Sequence, residues 1–236
     1  MITTVLFDLD GTLLPMNQDV FIGAYLSGLT AKMASFGFDP REIAKVIWAG
    51  TGAMVKNDGS ARNEEVFWKV FSQVCGRDML ELYGPIEAFY REEFQLVRHS
   101  CGFDAQSAET IRALKEKGLT LALATNPLFP AIATHSRVRW AGLEPEDFAH
   151  ITTYENSRHC KPNPDYYRDI LTTLGVSAEQ CLMVGNDVSE DMIAQDLGMQ
   201  VFLLTDCLIN KENEDISRYP HGSFPQLMDY IGSIGL

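Results

Sequence analysis

The stretch Val5-Leu6-Phe7-Asp8-Leu9-Asp10-Gly11-Thr12 joins an apolar run to two carboxylates and a glycine. The apolar residues before Asp8 predict a buried strand, and Gly11 predicts a turn soon after it. Side chains alternate along an extended chain, but a bend after Asp8 brings both carboxylates to one cavity beyond the strand. We therefore expect Asp8 and Asp10 to belong to a site for a metal ion and a phosphate group.

The composition is typical of a globular protein. The 236 residues are 46% apolar and carry a formal net charge of −13. This charge argues against nucleic-acid and membrane partners, because nucleic acids and anionic lipids bind to a basic surface on the protein. No apolar run reaches the length of about 18 residues that a membrane span needs. Five widely spaced cysteines without a Cys-x-x-Cys pair favour a cytoplasmic location over a disulfide framework.

Short apolar runs with strand character recur along the chain, and amphipathic helical patterns separate most of them. The runs are Thr4–Phe7, Leu119–Ala124, Ile151–Thr153, Cys181–Val184 and Val201–Leu204. This alternation predicts an α/β fold with a doubly wound parallel sheet, because right-handed crossovers place helices on both of its faces.

More than 100 residues separate the first two of these runs, and their apolar positions follow helical spacing. One crossover helix needs far fewer residues. We therefore expect residues 16–99 to form a separate helical unit, inserted into a core made of residues 1–15 and 100–236. The crossings near Pro15–Asn17 and Arg98–Phe103 are the expected hinges.

Local signals divide the inserted unit into helices. Asp39-Pro40 predicts the cap and first turn of one helix, and Pro85 should interrupt or delay another. The glycine-rich segment Gly50–Ser60 predicts a loop, either a flexible connector or a loop that contacts the substrate. On the second interpretation, Lys56 and Asn57 are candidates for selecting the substrate.

The second predicted strand ends in Thr125-Asn126-Pro127. Ligands of a doubly wound sheet collect beyond the carboxyl ends of its strands. Thr125 can therefore reach the crevice that holds Asp8 and donate a hydrogen bond to a phosphoryl oxygen. Asn126 is a further candidate for binding phosphate there.

The segment Lys161-Pro162-Asn163-Pro164 follows the third predicted strand. Pro162 keeps Lys161 extended, and Asn163-Pro164 predicts the cap and first residue of the next helix. An ammonium aimed at Asp8 offsets the negative charge that gathers when a phosphate dianion meets two carboxylates. We therefore expect Lys161 to bind phosphate.

The fourth predicted strand leads into the acidic segment Gly185–Asp191. Oxygen ligands on a loop suit Mg²⁺, which is hard and octahedral. Asp187 is the preferred ligand and Asn186 the alternative, while Asp191 is expected to orient Lys161 or a bound water. Capping of the following helix by Asp187 is a competing use that can coexist with metal binding.

Four segments resemble, in order, the four motifs of the haloacid dehalogenase-like hydrolase superfamily: Asp8-x-Asp10-Gly11-Thr12, Thr125, Lys161-Pro162 and Gly185-Asn186-Asp187-x-x-x-Asp191. The resemblance implies a Rossmann-like core, and the inserted helices resemble that superfamily's cap of the first type. Asn186 stands where many members carry an acidic residue. The division of metal binding between Asn186 and Asp187 therefore stays open.

The resemblance also implies a role for each motif residue. Asp8 would attack phosphorus to form an aspartyl-phosphate, and Asp10 would protonate the leaving alkoxide and later activate water. Mg²⁺ would be held by Asp8, the backbone carbonyl of Asp10 and Asp187. The phosphoryl oxygens would be bound by Thr125, Lys161 and backbone N–H groups near Gly11.

The expected function is that of a Mg²⁺-dependent hydrolase that cleaves phosphate monoesters of a small metabolite. Asp10 favours this reaction over dehalogenation, since a halide leaving group needs no acid. A sugar phosphomutase of the same fold and a non-catalytic binding protein are the alternatives. A phosphonate hydrolase would need a cap lysine, and no pattern distinguishes Lys32, Lys45 or Lys56 for that role.

Overall fold

The computed structural model describes residues 1–234, so the last two residues of the predicted core segment 100–236 lie outside it. Its strands are β1 (Thr4–Phe7), β2 (Thr120–Leu123), β3 (His150–Ile151), β4 (Cys181–Gly185), β5 (Gln200–Leu204) and β6 (His221–Gly222). They form one parallel sheet in the order β3-β2-β1-β4-β5-β6. All five predicted strands are present, with ends that differ by up to two residues. The two-residue β6 is too short to show a strand pattern in sequence.

The α-helices of the described chain are α1 (Gln18–Ala34), α2 (Pro40–Val55), α3 (Asn63–Cys75), α4 (Tyr83–Arg91), α5 (Ala105–Glu116), α6 (Ala131–Trp140), α7 (Pro164–Leu174) and α8 (Phe224–Ser233). Within residues 1–234, none of these helices combines the length and apolar character needed to cross a membrane.

The central strand β1 contributes side chains to two apolar layers, one on each side of the sheet. Val5 and Phe7 belong to a buried cluster with Ile111 of α5, whereas Leu6 belongs to a second cluster with Ile170 of α7. This division follows from the alternation of side chains along an extended chain. Because helices cover both faces, the predicted doubly wound α/β fold is confirmed.

Helices α1 to α4 lie between β1 and β2 in the chain. The two connections that lead into and out of them run side by side, because Met16 pairs with Cys101 as an antiparallel bridge. The N–H of Gly102 also donates to the carbonyl of Pro15 at 2.7 Å. As the sequence predicts, Asp39 caps α2 by accepting hydrogen bonds from two backbone N–H groups of its first turn.

The predicted loop over Gly50–Ser60 is wrong in its first half, because α2 continues to Val55. A Cβ on Gly50 would lie only 2.7 Å from the ring of Phe67 in α3. Glycine at this position therefore lets α2 and α3 approach closely, and it does not mark a turn. Pro85 lies in the first turn of α4, where a helix has no internal partner for the missing N–H.

Candidate active site

Three of the four predicted site segments follow the adjacent strands β2, β1 and β4, at the same edge of the sheet. In the register of the sheet, Phe7 of β1 lies opposite Leu123 of β2 and Val184 of β4. The N–H of Asp8 then donates to the carbonyl of Val184 at 2.9 Å. The segments that begin at Asp8, Ala124 and Asn186 therefore leave the sheet side by side.

The turn after β1 requires glycine at position 11. The N–H of Gly11 donates to the carbonyl of Leu14 at 2.8 Å, and its φ of +88° lies in the left-handed region. A Cβ on Gly11 would lie 2.4 Å from Nδ2 of Asn186. Any side chain here would be strained and would also push Asn186 away from the turn.

Lys161 lies between β3 and α7, and its side chain extends to Asp8. Its Nζ lies 2.9 Å from Oδ1 of Asp8 and 2.6 Å from Oδ1 of Asp191, and the residue is 2% exposed. Asn163 caps α7 and Pro164 is its first residue, as predicted, so Lys161 leads directly into a rigid helix. Burial by itself lowers the pKa of Lys161, but the two carboxylates raise that pKa well above its ordinary value. The side chain is therefore a fixed positive charge.

Asp191 uses both carboxylate oxygens inside the site. While Oδ1 binds Lys161, Oδ2 accepts the backbone N–H of Asp187 at 2.9 Å. Space for this carboxylate depends on Gly185, because a Cβ there would lie 2.1 Å from Asp191 Oδ2. Burial raises the pKa of Asp191 to about 6 in spite of the ammonium beside it.

Thr12 connects Asp8 to Asn186. Its hydroxyl oxygen lies 3.2 Å from Oδ2 of Asp8 and 3.0 Å from Oδ1 of Asn186. The amide group of Asn186 donates to the carbonyl of Cys207 at 2.7 Å, which turns its oxygen toward Thr12. Three side-chain oxygens therefore lie close together beyond the end of β1.

The side chain of Asp187 has a different set of partners. Its Oδ1 accepts the N–H groups of Ser189 at 2.8 Å and Glu190 at 3.0 Å, which is a capping arrangement. Of the two metal ligands considered from sequence, Asn186 is the one whose side-chain oxygen is linked to Asp8 through a shared hydroxyl.

The oxygen donors around Asp8 fit a hard divalent cation. Among residues 1–234, no three histidine, cysteine, aspartate or glutamate side chains are grouped as metal ligands. A cation bound beside Asp8 would therefore also need amide, carbonyl or water oxygens, and Asn186 offers the first of these. Mg²⁺ suits such a mixed set, because it binds few carboxylates and keeps several waters.

The loop after β2 brings Thr125 and Asn126 to the same edge of the sheet. The carbonyl of Thr125 accepts hydrogen bonds from Thr152 at 2.6 Å and from the hydroxyl of Tyr166 at 2.9 Å, so its position is fixed. Nδ2 of Asn126 donates to Oε2 of Glu190 at 3.0 Å. No sequence pattern predicts Glu190 as a neighbour of this loop.

Asp10 faces an arginine that was not predicted from the sequence. Nη1 of Arg137, on α6, is hydrogen-bonded to Oδ2 of Asp10, and the guanidinium side chain is fully buried. Burial raises the pKa of Asp10, Arg137 opposes that rise, and Asp8 adds to it. Helical spacing places Arg137 on the same face as buried Ala133 and Trp140, and this signal could have identified it.

The two residues considered for substrate selection lie at the end of α2. Lys56 is exposed, whereas Asn57 is buried. The amide group of Asn57 donates to the carbonyl of Ala61 at 2.9 Å and to Oδ1 of Asn63 at 2.8 Å. Asn63 in turn donates to the carbonyl of Pro127 at 3.3 Å, in the loop after β2.

Known proteins are similar to this chain in sequence. A family model described as haloacid dehalogenase-like hydrolase matches residues 2–194, which is more than half of the chain. A glyceraldehyde 3-phosphate phosphatase from Methanocaldococcus jannaschii is 25% identical over 237 residues, with 99% of each chain covered. A phosphoglycolate phosphatase from Colwellia psychrerythraea is 26% identical over 91% of this chain and 88% of its own.

Solved structures share the fold. A 2-haloacid dehalogenase from Pseudomonas syringae pv. Tomato DC3000 is similar with a TM-score of 0.63, at 23% identity and full coverage of both chains. A HAD phosphatase from Thermococcus onnurineus is similar with a TM-score of 0.60, at 19% identity and 98% coverage of both. The match of the family model, together with this common fold, shows that the chain belongs to the haloacid dehalogenase-like hydrolases.

Proposed function

We propose that the chain is a Mg²⁺-dependent phosphatase that hydrolyses phosphate monoesters of a small metabolite through an aspartyl-phosphate intermediate. The observation that carries this proposal is the environment of Asp8. Its Oδ1 is 2.9 Å from the Lys161 ammonium, and its Oδ2 is 3.2 Å from the Thr12 hydroxyl. Both carboxylate oxygens thus lie within hydrogen-bond distance of a separate polar group at the end of a buried strand.

The general part of this prediction, a hydrolase with phosphatase relatives, is confirmed. The family model is that of a hydrolase, and the relatives described above are phosphatases by name. Those names also support a small phosphorylated metabolite as the substrate. Lys56, which is exposed, remains our candidate for contacting that metabolite. Asn57 is buried and would influence the choice of substrate indirectly, by fixing the shape of the loop that follows α2.

The residues divide the chemistry as follows. Asp8 attacks phosphorus in line, while Lys161 and Thr125 bind the phosphoryl oxygens and lower the repulsion between two anions. Asp10 protonates the leaving alkoxide and then removes a proton from the attacking water. Mg²⁺ would be held by Asp8, the Asp10 carbonyl and Asn186 or Asp187, where it supplies further neutralisation of charge.

We further propose that residues 16–99 act as a cap over this site. Asn63, the first residue of α3, is fully buried, and its side chain reaches the carbonyl of Pro127. The N–H groups of Asn63 and Glu64 donate to the carbonyls of Ser157 and Tyr154, both at 2.9 Å. The inserted helices thus contact the loop that contains Thr125 and the loop that contains Lys161.

The test is phosphate release from a panel of small phosphate monoesters, with and without Mg²⁺. We expect release that depends on Mg²⁺, and a loss of more than about a thousandfold in the Asp8→Asn variant. The matched control is Asp229→Asn, which changes an exposed aspartate on α8 in the same way. Metal-dependent release that is equal in Asp8→Asn and wild type would overturn the mechanism, and isomerised sugar phosphate without free phosphate would identify a mutase.

A further inference from the structure

Asp10 of the first motif forms an ion pair with Arg137, a buried residue that lies outside all four motifs. The Arg137 side chain is fully buried, and that of Asp10 is 19% exposed. Arg137 also donates to the Thr134 hydroxyl at 3.3 Å, one turn earlier on α6. Within residues 1–234, Oδ1 of Asp10 has no hydrogen-bond partner although it is buried. The ion pair therefore occupies one oxygen of the carboxylate and leaves the other without a hydrogen-bond partner.

Two aromatic rings enclose the guanidinium. It lies 4.4 Å from the ring centre of Phe129, in the loop after β2, and 5.8 Å from that of Phe21, on α1. Phe21 is 3% exposed, and the two ring centres are 6.0 Å apart. One wall of this enclosure thus comes from the core and the other from the inserted helices.

This enclosure restricts how Asp10 can move. A buried guanidinium that loses its carboxylate is left without compensation for its charge, which is strongly unfavourable. The rings cover the guanidinium, which is fully buried, so water does not compete for its contact with Asp10. Rotation of the Asp10 side chain away from Arg137 is therefore costly while Phe21 is in place.

We propose that Arg137 is a positioning residue that holds the Asp10 carboxyl with Oδ1 directed to the leaving oxygen of the substrate, and that Phe21 makes this orientation depend on the seating of the inserted helices. The proposal rests on the proposed function, in which Asp10 serves the leaving group. It assigns to Arg137 no contact with phosphorus or with the metal.

The test compares two esters with different demands on the acid. An alkyl phosphate needs its leaving oxygen protonated, whereas p-nitrophenyl phosphate releases a stable phenolate without an acid. We expect Arg137→Lys, which keeps the charge but loses the planar fork, to lower kcat on the alkyl ester at least tenfold more than kcat on p-nitrophenyl phosphate. KM should change little for either ester. Arg139→Lys, on the exposed side of the same helix, is the matched control.

A second variant covers the case in which Arg137→Lys does not fold. Phe21→Leu removes the aromatic wall without touching Asp10, and it should show the same preference for loss on the alkyl ester. Equal losses on both esters would overturn the role of Arg137 while leaving the proposed function intact. A wild-type protein that hydrolyses no phosphate monoester of the panel with Mg²⁺ would reject the proposed function, and the role of Arg137 with it.

Discussion

Lys161 Nζ lies closer to Asp191 Oδ1, at 2.6 Å, than to the carboxylate of Asp8, at 2.9 Å. The second oxygen of Asp191 holds the backbone of Asp187. Asp191 therefore joins the lysine to the loop after β4, so that the ammonium is already in place before a phosphate arrives. Such preorganised charge acts without rearrangement during the reaction.

Asp191→Asn should destabilise the protein by about 3 kcal/mol, because it removes one member of a buried ion pair and places an amide near the N–H of Asp187. Urea denaturation at neutral pH measures this loss. Asp169→Asn is the control, since Asp169 pairs with His159 on the surface and should matter little. Equal stability of Asp191→Asn and wild type would show that the pair contributes no net stability.

Alanine at two glycines of α2 should have opposite effects. In Gly50→Ala the new Cβ meets the ring of Phe67 at 2.7 Å, and that ring is stacked on Phe71, so we expect a loss of about 1 to 3 kcal/mol. In Gly52→Ala no atom lies within 4 Å of the new Cβ, so we expect a gain of about 0.5 to 1 kcal/mol from helix propensity. Thermal unfolding of both variants measures the difference. Stabilisation by both would show that α2 and α3 can separate at no cost.

Asn57→Ala and Asn63→Ala should each destabilise the protein, and their effects should not add. The two side chains share a hydrogen bond of 2.8 Å, so the first substitution removes part of what the second would remove. Each loss should be about 1 to 3 kcal/mol, the usual cost of leaving a buried polar group unpaired. A double-mutant cycle by denaturation measures the coupling. Strict additivity would show that the two asparagines act independently.

The raised pKa of Glu190 should make the stability of the protein depend on pH. Burial raises its pKa to about 7, and Asp191, Asp187 and Asp8 add to that rise against the pull of Lys161. The pKa of Glu190 in the folded protein lies above its ordinary value of 4.5. The contribution of Glu190 to the stability of the fold is therefore fully present below pH 4.5 and is lost as pH rises through about 7. Glu190→Gln removes this loss.

The measurement is the unfolding temperature of wild type and Glu190→Gln between about pH 5 and pH 8, with a chelator present to exclude cations. The variant should become relatively more stable as pH rises. Glu144→Gln, at an exposed glutamate, is the control and should follow wild type. Parallel curves for Glu190→Gln and wild type would contradict the raised pKa.

Local signals explain what could be predicted of the fold. The strand Thr4–Phe7 and the starts of α2 and α7 agree with the sequence analysis, because apolar runs and Asp-Pro or Asn-Pro pairs act over a few residues. The loop predicted at Gly50 was wrong, since glycine permits both a turn and a close helix contact, and only the position of Phe67 distinguishes them.

The order of apolar runs along the chain is enough to place Asp8, Thr125 and Lys161 at one edge of a parallel sheet, because the carboxyl ends of neighbouring strands meet there. Tertiary packing sets the contact of Arg137 with Asp10, 127 residues away, and the orientation of the Asn186 oxygen toward Thr12. These contacts depend on rotamers chosen by packing among distant segments. No local pattern along the chain carries that information.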